Sequence, residues 1–149
     1  MVEGGQKMTR RGPAEWMLAA EALALLAGYR VALAVVPVRR IIARVTRRRA
    51  GEPAVATGEE AMQRAATVRR VQWAVNAAAR HSPVEFVCFP QALAGYTMLR
   101  RRKVPSTVVY GVARSESGEL LAHTWLTVGD KILLGGEVAP EFTAIERWS

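Results

Sequence analysis

The 149-residue sequence predicts an α+β domain in which helices come first and a small antiparallel sheet comes last. Up to Lys103, apolar residues recur at helical spacing between proline and glycine breaks. From Thr107 onward, β-branched residues, alternation and glycine turns replace that pattern. Half of the residues are apolar, enough for a single core.

Residues 1–12 (MVEGGQKMTRRG) are polar and glycine-rich and read as a disordered tail. A helical region is expected over 13–50. Pro13 suits a first helical position, where its missing N–H has no intrahelical partner, and Glu15 and Glu21 favour the positive N-terminal half. Trp16, Leu18, Leu23, Leu25, Leu26 and Tyr29 supply apolar positions, continued by Val31, Leu33 and Val35. Pro37 ends or kinks this helix. Val38 to Arg49 then reads as a second, basic amphipathic helix with Ile41, Ile42 and Val45 inward.

Residues 51–58 form a linker. A helix is expected from Glu59 to Arg80, with Met62, Ala65, Val68, Val71, Trp73 and Val75 as its apolar positions. It stops at His81-Ser82-Pro83, since the residue before proline is pushed out of the helical region. Another helix follows from Pro90 to Arg102, with Phe89 as its cap. Thr107–Arg114 and Leu120–Val128 read as strands separated by the turn Ser115–Glu119. Gly129-Asp130 is a two-residue turn, and Lys131–Leu134 is the return strand.

Charge is the loudest global feature, with 21 Lys and Arg against 13 Asp and Glu, net +8. Such a balance attracts nucleic acid, anionic membrane or an acidic partner. Nucleic acid is disfavoured, because no helix-turn-helix, RNP-like or zinc pattern is present and no aromatics interleave the basic run. Arg100, Arg101, Arg102 and Lys103 end a helix, where cations complement the macrodipole. The run Arg39, Arg40, Arg44, Arg47, Arg48 and Arg49 has no such ordinary explanation; it is either a docking face or a solvated helix face. Trp16–Val36 is long enough to span a membrane, but Glu21 and Arg30 interrupt it, each at a cost of about 2.5–3.5 kcal/mol at a bilayer centre. A core helix is expected, with peripheral membrane contact as the alternative. One cysteine rules out an internal disulfide and gives no zinc spacing. With no secretory signal evident, a reducing cytoplasm is expected, and neither a metal nor a cofactor is implied.

Cys88 is the first chemical candidate. Placed beside the free N–H groups of a helix N-terminus, a thiol is more easily ionised, and the same donors can hold an oxyanion. Against this, free cysteine is among the most buried residues and commonly behaves as a small hydrophobe. His123, in the apolar strand LLAHTWLTV, shares its face with Leu121 and Trp125; it is a satisfied core histidine or the base of a Cys–His pair. His81 is the competitor, although its turn position suits closing the preceding helix. Trp125 either covers such a pair or fills the core.

The segment CFPQALAGYTMLRRRKVPSTVVYGVARSESGELLAHTWLTVGDKILLGG, with its Cys-x-Pro-Gln-Ala-Leu-Ala block and Ala-His-x-Trp core, resembles the transglutaminase-like leader peptidase of lasso-peptide biosynthesis. The likeness covers about residues 59–145 and resembles the standalone protease half of the lasso-peptide B protein. It implies a transglutaminase-like, papain-like cysteine protease core over 59–149. It also implies a precursor peptide as substrate, a separate leader-binding protein and a lasso cyclase as partners, Cys88 as nucleophile and His123 as base. Gln91 and Ala92 match the family block as helix support.

One departure stands out. Many members of the family carry an Asp about a dozen residues after the histidine, and Gly135 occupies that place here. Asp130 sits at the turn tip. In a simple two-residue hairpin Gly136 pairs opposite His123, which leaves Glu137 off that face unless a bulge at the glycines brings it across. A backbone carbonyl or an amide is the remaining way to orient the ring. The reading from another class is a non-catalytic basic binding module, or a cyclase scaffold, with Cys88 buried and inert.

Overall fold

The computed structural model describes residues 11–45, 56–82 and 88–149. Most of the expected tail, the end of the basic run with Arg47, Arg48 and Arg49, most of the linker and the apolar run before Cys88 lie outside the described residues. Among the described residues, four helices precede a four-stranded antiparallel sheet. The helices are α1 (Pro13–Val35), α2 (Val38–Val45), α3 (Glu59–His81) and α4 (Cys88–Arg101). The strands are β1 (Thr107–Arg114), β2 (Leu120–Val128), β3 (Lys131–Leu134) and β4 (Thr143–Trp148), in the order β3-β2-β1-β4. This is the α+β arrangement that the sequence predicts.

Prolines set the helix boundaries as expected. Pro13 opens α1, and Val36, the residue before Pro37, is extended at φ −123°, ψ 133°. Ser82, which precedes Pro83 in the sequence, ends α3 in the same way at φ −82°, ψ 138°. The end of α4 has another cause. Lys103 adopts the left-handed conformation (φ 57°), its N–H donates to the Arg100 carbonyl, and the Val104 N–H donates to the Leu99 carbonyl. That is a Schellman closure built on a residue other than glycine.

One cluster of buried side chains draws on every layer: Leu18, Ala22 and Leu26 of α1, Val71, Ala74 and Val75 of α3, Met98 and Leu99 of α4, and Val108, Leu126 and Leu134 of the sheet. α1 contributes only this inner stripe. Trp16, Met17, Leu23, Val31 and Val35 are exposed, although the apolar pattern alone marks Trp16, Leu23, Val31 and Val35 for the core. Apolar residues surround α1 on all sides, and a helix packed along one face buries only the residues on that face. Pro13–Val35 is long and apolar enough to cross a membrane, and only 17% of its most apolar window is buried.

The sheet has two differently covered faces. Leu126 and its partner Val108 face α4, whereas Trp125 and its partner Val109 face the opposite side. There they pack with Ala139 of the short 3-10 turn (Ala139–Glu141), Phe142 just after it and Ala144 of β4. β4, for which the sequence gives no expectation, pairs with the free edge of β1. A bulge between Tyr110 and Gly111 leaves Ile145 without a partner.

Candidate active site

Cys88 is the first residue of α4 and is half-buried. The helix begins earlier than the cap at Phe89 and first turn at Pro90 that the sequence suggests. Pro90 still falls within the opening turn, where no N–H is required. The thiol is therefore carried at a helix mouth whose first N–H groups have no intrahelical acceptors.

His123 lies in β2 opposite Gly111 of β1 and is half-buried. Its ring stacks on Trp125 at 6.0 Å between centroids and meets Phe142 at 5.2 Å. Trp125 can lie flat here because Gly111 has no side chain; a Cβ on Gly111 would stand 2.7 Å from the indole. The ring nitrogen Nε2 is 2.8 Å from the Gly135 carbonyl oxygen. A carbonyl only accepts, so Nε2 carries the proton, and in the neutral ring Nδ1 is the lone-pair nitrogen.

The path of β3 explains how Gly135 reaches the ring. Val128 pairs with Lys131 and Thr127 with Ile132, but Leu126 pairs with Leu134, so Leu133 is an extra residue. The hairpin bulge thus falls before the glycines, and Leu133 and Leu134 are both buried in succession. The simple register that sets Gly136 opposite His123 does not hold. β3 stops at Leu134, and Gly135 turns with φ 77°.

Neither acid reaches the ring. Asp130 is exposed in the β2–β3 turn, Glu137 is exposed past the glycines, and the hydrogen bond of His123 is to Gly135. His81 is the exposed last residue of α3. Among the described residues no group of three or more His, Cys, Asp or Glu side chains is arranged to hold a metal.

Within the sheet α4 packs mainly on β2, and a Cβ on Gly95 would meet Leu126 and Leu134 at 2.7 Å. The short link from Arg101 to Thr107 returns the chain into β1, so α4 runs antiparallel to β1 and parallel to β2. From Gly95 back to Cys88 the helix climbs about 10 Å. From Leu126 back to His123 the strand covers about 10 Å in the same direction. Cys88 and His123 are thereby carried to the same end of the sheet. No hydrogen bond joins them, and His123 shares the Trp125 face rather than the Leu126 face that meets α4. Next to His123, however, β2 has no β3 partner, because that strand ends opposite Leu126.

A groove of about 590 Å³ lies elsewhere. Met17, Leu18 and Glu21 of α1, Arg70 and Val71 of α3 and Arg102 line it, and neither Cys88 nor His123 does.

A family model described as "Transglutaminase-like superfamily" matches residues 25–147. No curated protein and no solved structure matches the chain. The matched span takes in the second half of α1, α4 with Cys88, and the whole sheet with His123. By that match over most of its length, the chain belongs to the transglutaminase-like superfamily.

Proposed function

We propose that the protein is a cysteine peptidase that removes the leader from a lasso-peptide precursor in the cytoplasm, with Cys88 as nucleophile and His123 as base. The superfamily includes cysteine proteases and transglutaminases. The observation that carries the reading is the His123 Nε2–H donated to the Gly135 carbonyl, which leaves Nδ1 able to accept a proton.

In this reading the Cys88 proton moves to Nδ1 as the sulfur attacks the scissile carbonyl carbon. The resulting oxyanion is held by N–H groups at the mouth of α4. Collapse breaks the C–N bond, and the imidazolium gives its proton to the departing amine, which is the new N-terminus of the core peptide. Water, deprotonated by His123, then hydrolyses the leader thioester and frees Cys88. The reading requires sulfur and ring to meet once substrate docks, around the stretch of β2 that β3 leaves uncovered beside His123. A leader-binding protein supplies the substrate at high local concentration, and a cyclase takes the freed core. The likeness of CFPQALAGYTMLRRRKVPS and AHTW to lasso-peptide leader peptidases selects this substrate.

The test mixes precursor, leader-binding partner and this protein and follows cleavage by mass spectrometry. Cleavage lost in Cys88→Ala and in His123→Ala supports the reading; a Cys88→Ala chain that still cuts removes it.

One observation favours a second reading, a basic module that binds membrane surfaces. Exposed Val31, Val35 and Val38 adjoin exposed Arg39, Arg40 and Arg44, a combination suited to an anionic interface. Sedimentation with phosphatidylserine vesicles, lost on Arg39→Glu/Arg40→Glu and absent with purely zwitterionic vesicles, supports it. Equal recovery with and without vesicles excludes it.

A further inference from the structure

We propose that the backbone carbonyl of Gly135 is the group that orients His123, a neutral acceptor that makes a glycine at 135 necessary and an acid side chain unnecessary. This rests on the reading of His123 as the base.

A base histidine works only if its second nitrogen is held, because a rotated ring or the wrong tautomer presents an N–H to the nucleophile in place of a lone pair. Here the holding atom is the Gly135 oxygen, 2.8 Å from Nε2. Trp125 and Phe142 flank the ring at 6.0 and 5.2 Å, so the hydrogen bond and the two aromatic contacts together limit its rotation.

The geometry demands glycine twice over. Its φ of 77° lies in the left-handed region, which residues with a Cβ occupy at a cost. Space is also lacking: a Cβ at 135 would stand 2.9 Å from the Thr124 carbonyl oxygen, 3.2 Å from His123 Nε2 and 3.2 Å from Trp125 Cβ. The first of these is backbone in a paired strand and has little freedom to yield. A side chain at 135 therefore displaces the carbonyl it shares a residue with, or displaces the ring. An aspartate introduced there cannot restore a carboxylate partner without breaking the bond already present.

A carbonyl also differs from a carboxylate in kind. A carboxylate both orients the ring and stabilises the imidazolium by its charge, whereas a carbonyl offers a dipole alone. Asp130 and Glu137, the two acids on either side of Gly135 in the sequence, are exposed and take no part.

The experiment uses the full chain with 15N-labelled histidine. Long-range 1H–15N spectra should show His123 as the Nε2-protonated tautomer, both in wild type and in Asp130→Asn/Glu137→Gln. In the cleavage assay that double variant should stay within twofold of wild type. Gly135→Ala and Gly135→Asp should each lower kcat at least tenfold with KM little changed, and Gly135→Ala should lose the single-tautomer signature. If the glycine variants fail to fold, the wild-type tautomer and the double variant still decide. An Nδ1-protonated ring, or a tenfold loss in Asp130→Asn/Glu137→Gln, overturns the assignment. Should Cys88→Ala cut as well as wild type, the peptidase reading fails on its own, because the tautomer is read without any substrate.

Discussion

Arg102, just past the end of α4, holds both carboxylate oxygens of Glu21 in α1, through Nη2 at 2.6 Å and Nη1 at 3.4 Å. Arg101 adds a 3.0 Å contact to the same carboxylate, and Arg102 also donates to the Met98 carbonyl at 2.9 Å. Arg100 reaches the Val45 carbonyl at the end of α2. The arginines thus serve the helix end, as their position suggests, and in addition fasten α4 to α1 and α2.

Chiefly through the Arg102 hydrogen bond, the Glu21 carboxyl titrates below its usual 4.5, although partial burial works against the shift. Its folded-state value is below the unfolded one, so the stabilisation is complete above about pH 4.5 and is lost as pH falls through the lowered value. Water still reaches the pair, which keeps its worth to about 1 kcal/mol. Glu21→Gln should therefore unfold at lower urea than wild type at pH 7. The two midpoints should converge on acidification below pH 4.5; a constant gap down to pH 2 contradicts the linkage.

Lys103 pays for its place in the Schellman closure with a left-handed backbone that glycine adopts freely. Lys103→Gly should raise stability by about 1 kcal/mol, seen as a higher Tm. An unchanged or lower Tm argues that the lysine side chain makes a compensating contribution.

Ser106, in the link between α4 and β1, is buried, and its hydroxyl finds no partner among the described residues. Ser106→Ala should stabilise the chain by about 1 kcal/mol, because an unsatisfied hydroxyl is removed at little cost in packing. A clear loss of stability in thermal unfolding would instead reveal an ordered water at that oxygen.

How far the fold was legible differs from element to element. Strands β1 to β3 announce themselves through β-branched alternation and the turns SESGE and Gly129-Asp130. β4 (TAIERW) does not, because an edge strand carrying Glu146 and Arg147 lacks a clean apolar face. In α1 the apolar residues go all the way round, so the sequence shows a helix and hides which side is buried. The candidate site divides in the same way. Cys88 and His123 stand out as the lone cysteine and as a histidine in an apolar strand. Gly135 draws notice only as the place of an absent Asp; its role stays hidden, because its contribution is a backbone oxygen aimed by a bulge at Leu133, and consecutive leucines give no alternation from which to read that bulge.

The most direct test of His123 acting on Cys88 is the rate of iodoacetamide alkylation of the single thiol in the native chain at neutral pH, compared between wild type and His123→Ala. The expected result is rapid labelling of the wild type and a drop of at least tenfold in the variant, with both folded by circular dichroism. Equal rates, or labelling only after denaturation, would contradict a sulfur activated by that ring.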